Sequence, residues 1–162
     1  MGLDMYMSGR KFFWFASAPG AERKEGDKRV KSLDVELGYW RKHPNLHGYI
    51  VNTFANGNDD CKEIELSAAN LRDIIAAIKA DRLPHTEGFF FGSSTGDKDE
   101  TDDAIKQLNG ALDWLNESDP APVKTETVTE GPGFRAVSAK VDPAAERKPQ
   151  NITRSVIYEA SW

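Results

Sequence analysis

Two histidines four residues apart, His43 and His47, precede the only cysteine of the chain, Cys61. That spacing puts two imidazoles on one helix face, and imidazole and thiolate are the ligands of zinc. The HExxH metalloprotease pattern, however, needs a glutamate beside its first histidine as general base. Here Pro44 and Asn45 fill that interval and His43 falls at or before the helix start, so no metal is expected. Cys61 follows Asp60, and with His47 upstream the three could form a nucleophile, a base and an orienting carboxylate. A small, buried free cysteine is the commoner case and is the expectation here.

Three further stretches invite chemistry. Asp97–Asp103 carries five carboxylates in seven residues, but an EF-hand counted from Asp97 would need glycine at Asp102 and glutamate at Leu108. Carboxylates at a helix N-terminus are the simpler account. Gly92-Ser93-Ser94-Thr95-Gly96 is a small polar loop that could offer backbone N–H groups to an anion. It matches neither GxxxxGK[ST] nor GxGxxG, and the carboxylates after it would repel a phosphate. No GxSxG surrounds Ser93. Finally, Arg41 and Lys42 directly follow Tyr39-Trp40, an arrangement able to grip an acidic partner or a nucleotide. The plainer alternative is a core Trp40 with solvated cations, and it is favoured.

The elements that must position these residues follow from periodicity. Residues 2–7 and 11–17 read as two strands joined by a turn at Ser8-Gly9-Arg10, and 18–30 as a polar loop. Residues 31–37 alternate as a half-buried strand that ends near Gly38. A helix begins at Pro44, since proline is tolerated in a first turn, and stops at Asn56-Gly57. Gly48 inside it costs about 1 kcal/mol relative to alanine, a cost that close packing would explain. Residues 61–66 read as a strand, and Ser67 as the N-cap of a helix striped by Leu71, Ile74, Ile75 and Ile78 and ended by Pro84. Gly88–Gly92 suits a buried strand. A third helix, about 97–116, turns Ala104, Ile105, Leu108, Ala111, Leu112 and Leu115 inward. Residues 119–150 carry five prolines and little periodicity, an excursion with a hairpin at about 123–129 and 134–141, and Thr153–Trp162 returns as a final strand. The order implies a single α+β domain: a mixed or antiparallel sheet of about five strands with three helices packed on it.

Composition bounds the function. The chain has 162 residues, is 39% hydrophobic and 29% charged, and carries a formal charge of -5. A domain of this size buries roughly 70% of its unfolded surface and needs neither disulfides nor a metal. Residues 1–60 are net +1, 61–118 net -6 and 119–162 neutral, which is too mild for a DNA mimic. It also lacks the basic stripe of a nucleic-acid binder, so no nucleic acid is expected. Asp4 stands where a signal peptide would have a basic start, and no apolar run is long enough to span a bilayer. A cytoplasmic protein with no membrane contact is expected. Nine of the sixteen aromatic residues lie in the first 54, and most are expected in the core.

Four blocks resemble a family of small proteins of tailed bacteriophages and prophages. They are Met1-Gly-Leu-Asp-Met-Tyr6, Gly38-Tyr-Trp-Arg-Lys42 with Leu46-His47, Asp60-Cys61 leading to Leu66-Ser67, and Gly88-Phe-Phe-Phe-Gly-Ser93. The resemblance covers about two thirds of the chain, which departs from the pattern at Pro44 and in the 119–150 insert. It implies a phage setting, with the host cytoplasm as compartment, and no mechanism. Asp4, Trp40, Arg41, Lys42, His47 and Cys61 fall on its motif positions and are the candidate site. The expectation is an accessory protein without cofactor that acts by binding a host or phage protein, such as a host defence protein, or a small nucleotide-like anion. The alternatives are a metal-independent enzyme with His47 as acid or base, Asp60 or Cys61 assisting and Arg41 or Lys42 holding an anion, and an assembly protein using the insert.

Overall fold

The computed structural model describes residues 2–14, 24–88, 92–94, 96–117 and 152–162. The expected strand core at Phe89–Phe91, the hairpin within 119–150 and the strand end at 15–17 lie outside the described residues. Six strands and three helices follow in the order β1 (Asp4–Phe13), β2 (Lys24–Glu25), β3 (Lys28–Arg29), β4 (Ser32–Arg41), α1 (Pro44–Phe54), β5 (Ile64–Leu66), α2 (Ala68–Lys79), α3 (Lys98–Asn116) and β6 (Ile152–Ser161). Strands β4-β1-β6-β5 form one antiparallel sheet, and β2-β3 a separate two-stranded hairpin. The fold is α+β, with an antiparallel sheet, as the sequence implies.

One turn is absent. Ser8-Gly9-Arg10 does not break the chain; β1 runs straight through it, paired on both sides. Gly9 serves a close approach instead: a Cβ there would stand 2.8 Å from the Trp114 ring and 2.9 Å from Leu37. Trp114 on α3, outside the expected inward stripe, is buried and lies beneath the Arg154 guanidinium, 4.9 Å from its ring centroid. A bulge between Met7 and Ser8 shifts the register against β4. Strand β4 likewise passes Gly38, where a Cβ would meet the Gln107 amide oxygen at 2.5 Å. The polar stretch read as a loop contains the β2-β3 hairpin, turned by Gly26 at φ +58°.

The helices begin where expected and stop for identifiable reasons. Pro44 opens α1, and Asn56 and Gly57, both left-handed, close it. Ser67 and Asn70 form a capping box on α2, which ends at Lys79 with Asp81 left-handed, before Pro84 can act. Asp97 caps α3 by accepting the Glu100 N–H at 2.8 Å. β5 starts only at Ile64, so Cys61 sits in a loop. The core lies between the helices and one sheet face: Met5, Met7, Trp40, Val156 and Tyr158 from strands meet Leu46, Ile50, Leu71, Ile74 and Leu108 from helices. Among the described residues no helix is long and apolar enough to cross a membrane.

Candidate functional site

The six candidate residues separate into four places. Asp4 and Arg41 lie opposite each other on β1 and β4, 3.7 Å apart, on the sheet face that the core does not use. Trp40 points the other way and is only 5% exposed, as the core reading expects; its indole N–H has no hydrogen-bond partner among the described residues. Lys42, left-handed at φ +55°, donates its N–H to the Leu3 carbonyl and lays its stem near Gly2 and Gly92. His47 and Cys61 belong to a crevice on the helical side.

His47 is 2% exposed, and both ring nitrogens are engaged. Nδ1 lies 2.7 Å from the Tyr158 hydroxyl and Nε2 3.1 Å from the Asp59 carboxylate. The arrangement that satisfies all three has Tyr158 donating to Nδ1 and Nε2–H donating to Asp59. Burial raises the Tyr158 phenol well above its usual range, so it stays a donor. Trp162 packs edge-on against the imidazole at 5.7 Å. The adjoining crevice, lined by Asp60, Cys61, Lys62 and others, encloses about 10 Å³, room for about one water. Cys61 is exposed, against the expectation of a buried thiol, because the left-handed loop at φ +57° holds it off the sheet. With Nδ1 and Nε2 committed to Tyr158 and Asp59, His47 is not placed to serve as base to Cys61. Arg41 is not among the residues of this crevice.

A second buried histidine was read only as a possible ligand. His43 Nδ1 lies 3.2 Å from Ser94 Oγ, which also accepts the Asn45 N–H at 3.2 Å. Because His43 makes no side-chain cap, Ser94 supplies an N-cap to α1 from a distant loop. Glu100 approaches the same Nδ1 at 3.9 Å, not the far nitrogen that a Ser-His-carboxylate relay needs. Glu100 also accepts the Gly96 N–H at 2.8 Å, so that loop donor is taken internally rather than offered to an anion. Among the described residues no group of three or more His, Cys, Asp or Glu is arranged to hold a metal ion.

Burial holds the His43 imidazole below its ordinary value of 6.5, against the opposing field of Glu100. Below that value the unfolded chain takes up a proton that the folded chain resists. This contribution to stability is therefore complete above about pH 6.5 and is lost as pH falls. His43→Gln is expected to flatten the urea midpoint between about pH 6.5 and 5, above the range where carboxylates titrate. An unchanged slope would assign the loss to another group.

The composition of the other sheet face is legible, among the described residues, from the register. One row across it reads Tyr39–Tyr6–Glu159, the next Glu36–Ser8–Ile157–Glu65, the next Asp34–Arg10–Ser155. Tyr6 and Tyr39 are 38% and 41% exposed with ring centroids 5.3 Å apart. The Tyr39 hydroxyl donates to Asp4 at 2.5 Å, which raises its pKa. Gln107 on α3 fixes the backbone beneath, accepting the Tyr39 N–H at 2.7 Å and donating to its carbonyl at 3.3 Å. Among the described residues β4 is an edge strand, and this side chain occupies its outer edge at that point. Arg10 bridges Asp34 and Glu63 through paired contacts of 2.9–3.3 Å. At the far end Trp14, exposed, packs against Phe12 and donates to Thr153 at 2.7 Å.

Of these, sequence reading singled out Asp4 and Arg41 but not Tyr6, Glu159 or Gln107, nor Asp59 and Tyr158 around His47. The alternation of Asp4, Tyr6, Ser8 and Arg10 with Met5, Met7 and Gly9 was the available signal, obscured by the supposed turn at Gly9. A family model, a curated protein and a solved structure were each sought for this chain, and none matches.

Proposed function

We propose that this chain is a phage or prophage accessory protein that acts by binding a protein partner, such as a host protein it covers, through the sheet face that the core does not use. The observation that carries the reading is the exposed Tyr6–Tyr39 pair, held by Asp4 and Gln107 on the sheet face opposite the core. Tyrosine and arginine on a rigid support are the residues that dominate protein interfaces. The small-anion alternative finds less support. The larger groove, about 320 Å³, is lined by Asp60, Glu63 and Glu65 with Lys62 already paired to Asp60. Carboxylates of that density repel a phosphate. The enzyme alternative needs His47, Asp60 or Cys61, and Arg41 or Lys42 in one cleft; His47, Asp60 and Cys61 line one crevice, and neither Arg41 nor Lys42 joins them.

A photo-crosslinking side chain at Tyr6 tests this, with one at exposed Arg72 on α2 as control. Expressed in a bacterial host, the Tyr6 variant should capture a defined protein that the Arg72 variant does not. Equal capture from both positions, or none from Tyr6, would refute the proposed surface.

A further inference from the structure

We infer that the partner seated on this sheet face presents lysine or arginine side chains. The inference rests on the binding reading above and deepens it. Among the described residues the face carries six carboxylates, Asp4, Asp34, Glu36, Glu63, Glu65 and Glu159, against two arginines, Arg10 and Arg41. The arginines are already spent: Arg41 lies beside Asp4, and Arg10 is shared by Asp34 and Glu63. Glu36, Glu65 and Glu159 form no ion pair with a described residue. These three surround the low middle of the face. Ser8 stands between Glu36 and Ile157, Glu65 follows Ile157, and Tyr6 with Glu159 forms the adjacent row.

A serine flanked by an aromatic ring, an isoleucine and unpaired carboxylates suits a long cationic side chain. Its stem would lie over Ser8 along the edge of the exposed Tyr6, with Ile157, only 9% exposed, beneath, and its head would meet Glu36, Glu159 or Glu65. A guanidinium or ammonium over the Tyr6–Tyr39 pair would gain further from the ring faces. The same charge argues against other occupants. A second copy would set these carboxylates against their own images, and nucleic acid or an anionic membrane would be repelled.

The test uses the full chain, an oligo-arginine peptide and its oligo-glutamate counterpart, followed by amide chemical shifts and by affinity at rising salt. The arginine peptide should shift Tyr6, Ser8, Tyr39 and Glu159, bind more weakly as salt increases, and lose on the order of tenfold in affinity or more in E36K/E65K/E159K. The control triple D73K/D102K/D113K, which changes net charge equally on exposed helix positions, should bind as the parent does. Shifts confined to the helical side, equal losses in both triples, or binding of the glutamate peptide would overturn the inference. The crosslinking experiment separates the two claims. If E36K/E65K/E159K still captures the same protein through Tyr6, the binding surface stands and its cationic partner does not.

Discussion

His47→Ala is expected to be the most destabilising single change on the helical side, by on the order of 3–4 kcal/mol. Loss of the ring leaves the buried Tyr158 hydroxyl without its acceptor, a cost of about 1–3 kcal/mol. The vacated space beneath Trp162 adds a cavity cost of similar size. Tyr158→Phe should cost less, about 1–3 kcal/mol, because it removes the donor, leaves Nδ1 unpaired and creates no large void. Urea titration of both single variants and the double variant supplies the check. Strong coupling between the two losses is the expected result, since the second change removes a group the first has already orphaned. Strictly additive losses would mean that the two side chains are not partners. The same titrations bear on mechanism, because a histidine this deeply engaged acts as a structural post.

Gly48→Ala carries the second large expected effect, and its sign is the informative part. Helix propensity alone makes alanine better than glycine by about 1 kcal/mol at an interior position. In this fold an added Cβ would stand 2.1 Å from Thr86 Oγ1 and 3.0 Å from both Thr86 Cβ and Cγ2. Thr86 has little freedom to yield: its N–H is bound by Asn45 at 2.9 Å, and its β-branched side chain is stiff. Overpacking of this kind costs about 1–3 kcal/mol, so the variant should be less stable than the parent despite its better helix former. In a Thr86→Gly background the clash disappears, and the same Gly48→Ala change should become stabilising. A stabilising Gly48→Ala in the parent would show that the helix and the 84–86 segment move apart easily.

The close approach at Gly48 was legible as a question, because a glycine inside a helix needs a reason. The glycine at position 9 was misread for the same reason in reverse. In local sequence Ser8-Gly9-Arg10 has turn chemistry, but the feature that decides its conformation is the Trp114 ring, more than a hundred residues away. Element type was readable wherever the pattern was long and one-sided, as in Leu71, Ile74, Ile75 and Ile78 or Ala104, Leu108 and Ala111. It was not readable where one distant side chain overrides a turn signal.

The candidate site divides along the same line. Sequence alone determined which residues have usable chemistry, the antiparallel-compatible α+β arrangement, the cap at Ser67 and the helix start at Pro44, and the local acidity of the middle of the chain. Each depends on neighbours within a few positions, so each is written in local order. Only the tertiary structure decided that His47 is bound by Tyr158 and Asp59, that Cys61 is exposed, and that Arg41 belongs to the opposite side of the sheet from both. Strand pairing made that decision: the alternation of side chains sends Arg41 and Trp40 to opposite faces one residue apart, and β6 brings Tyr158 to a histidine 111 positions earlier. The face of Tyr6, Tyr39 and their carboxylates exists only once β4, β1, β6 and β5 lie side by side.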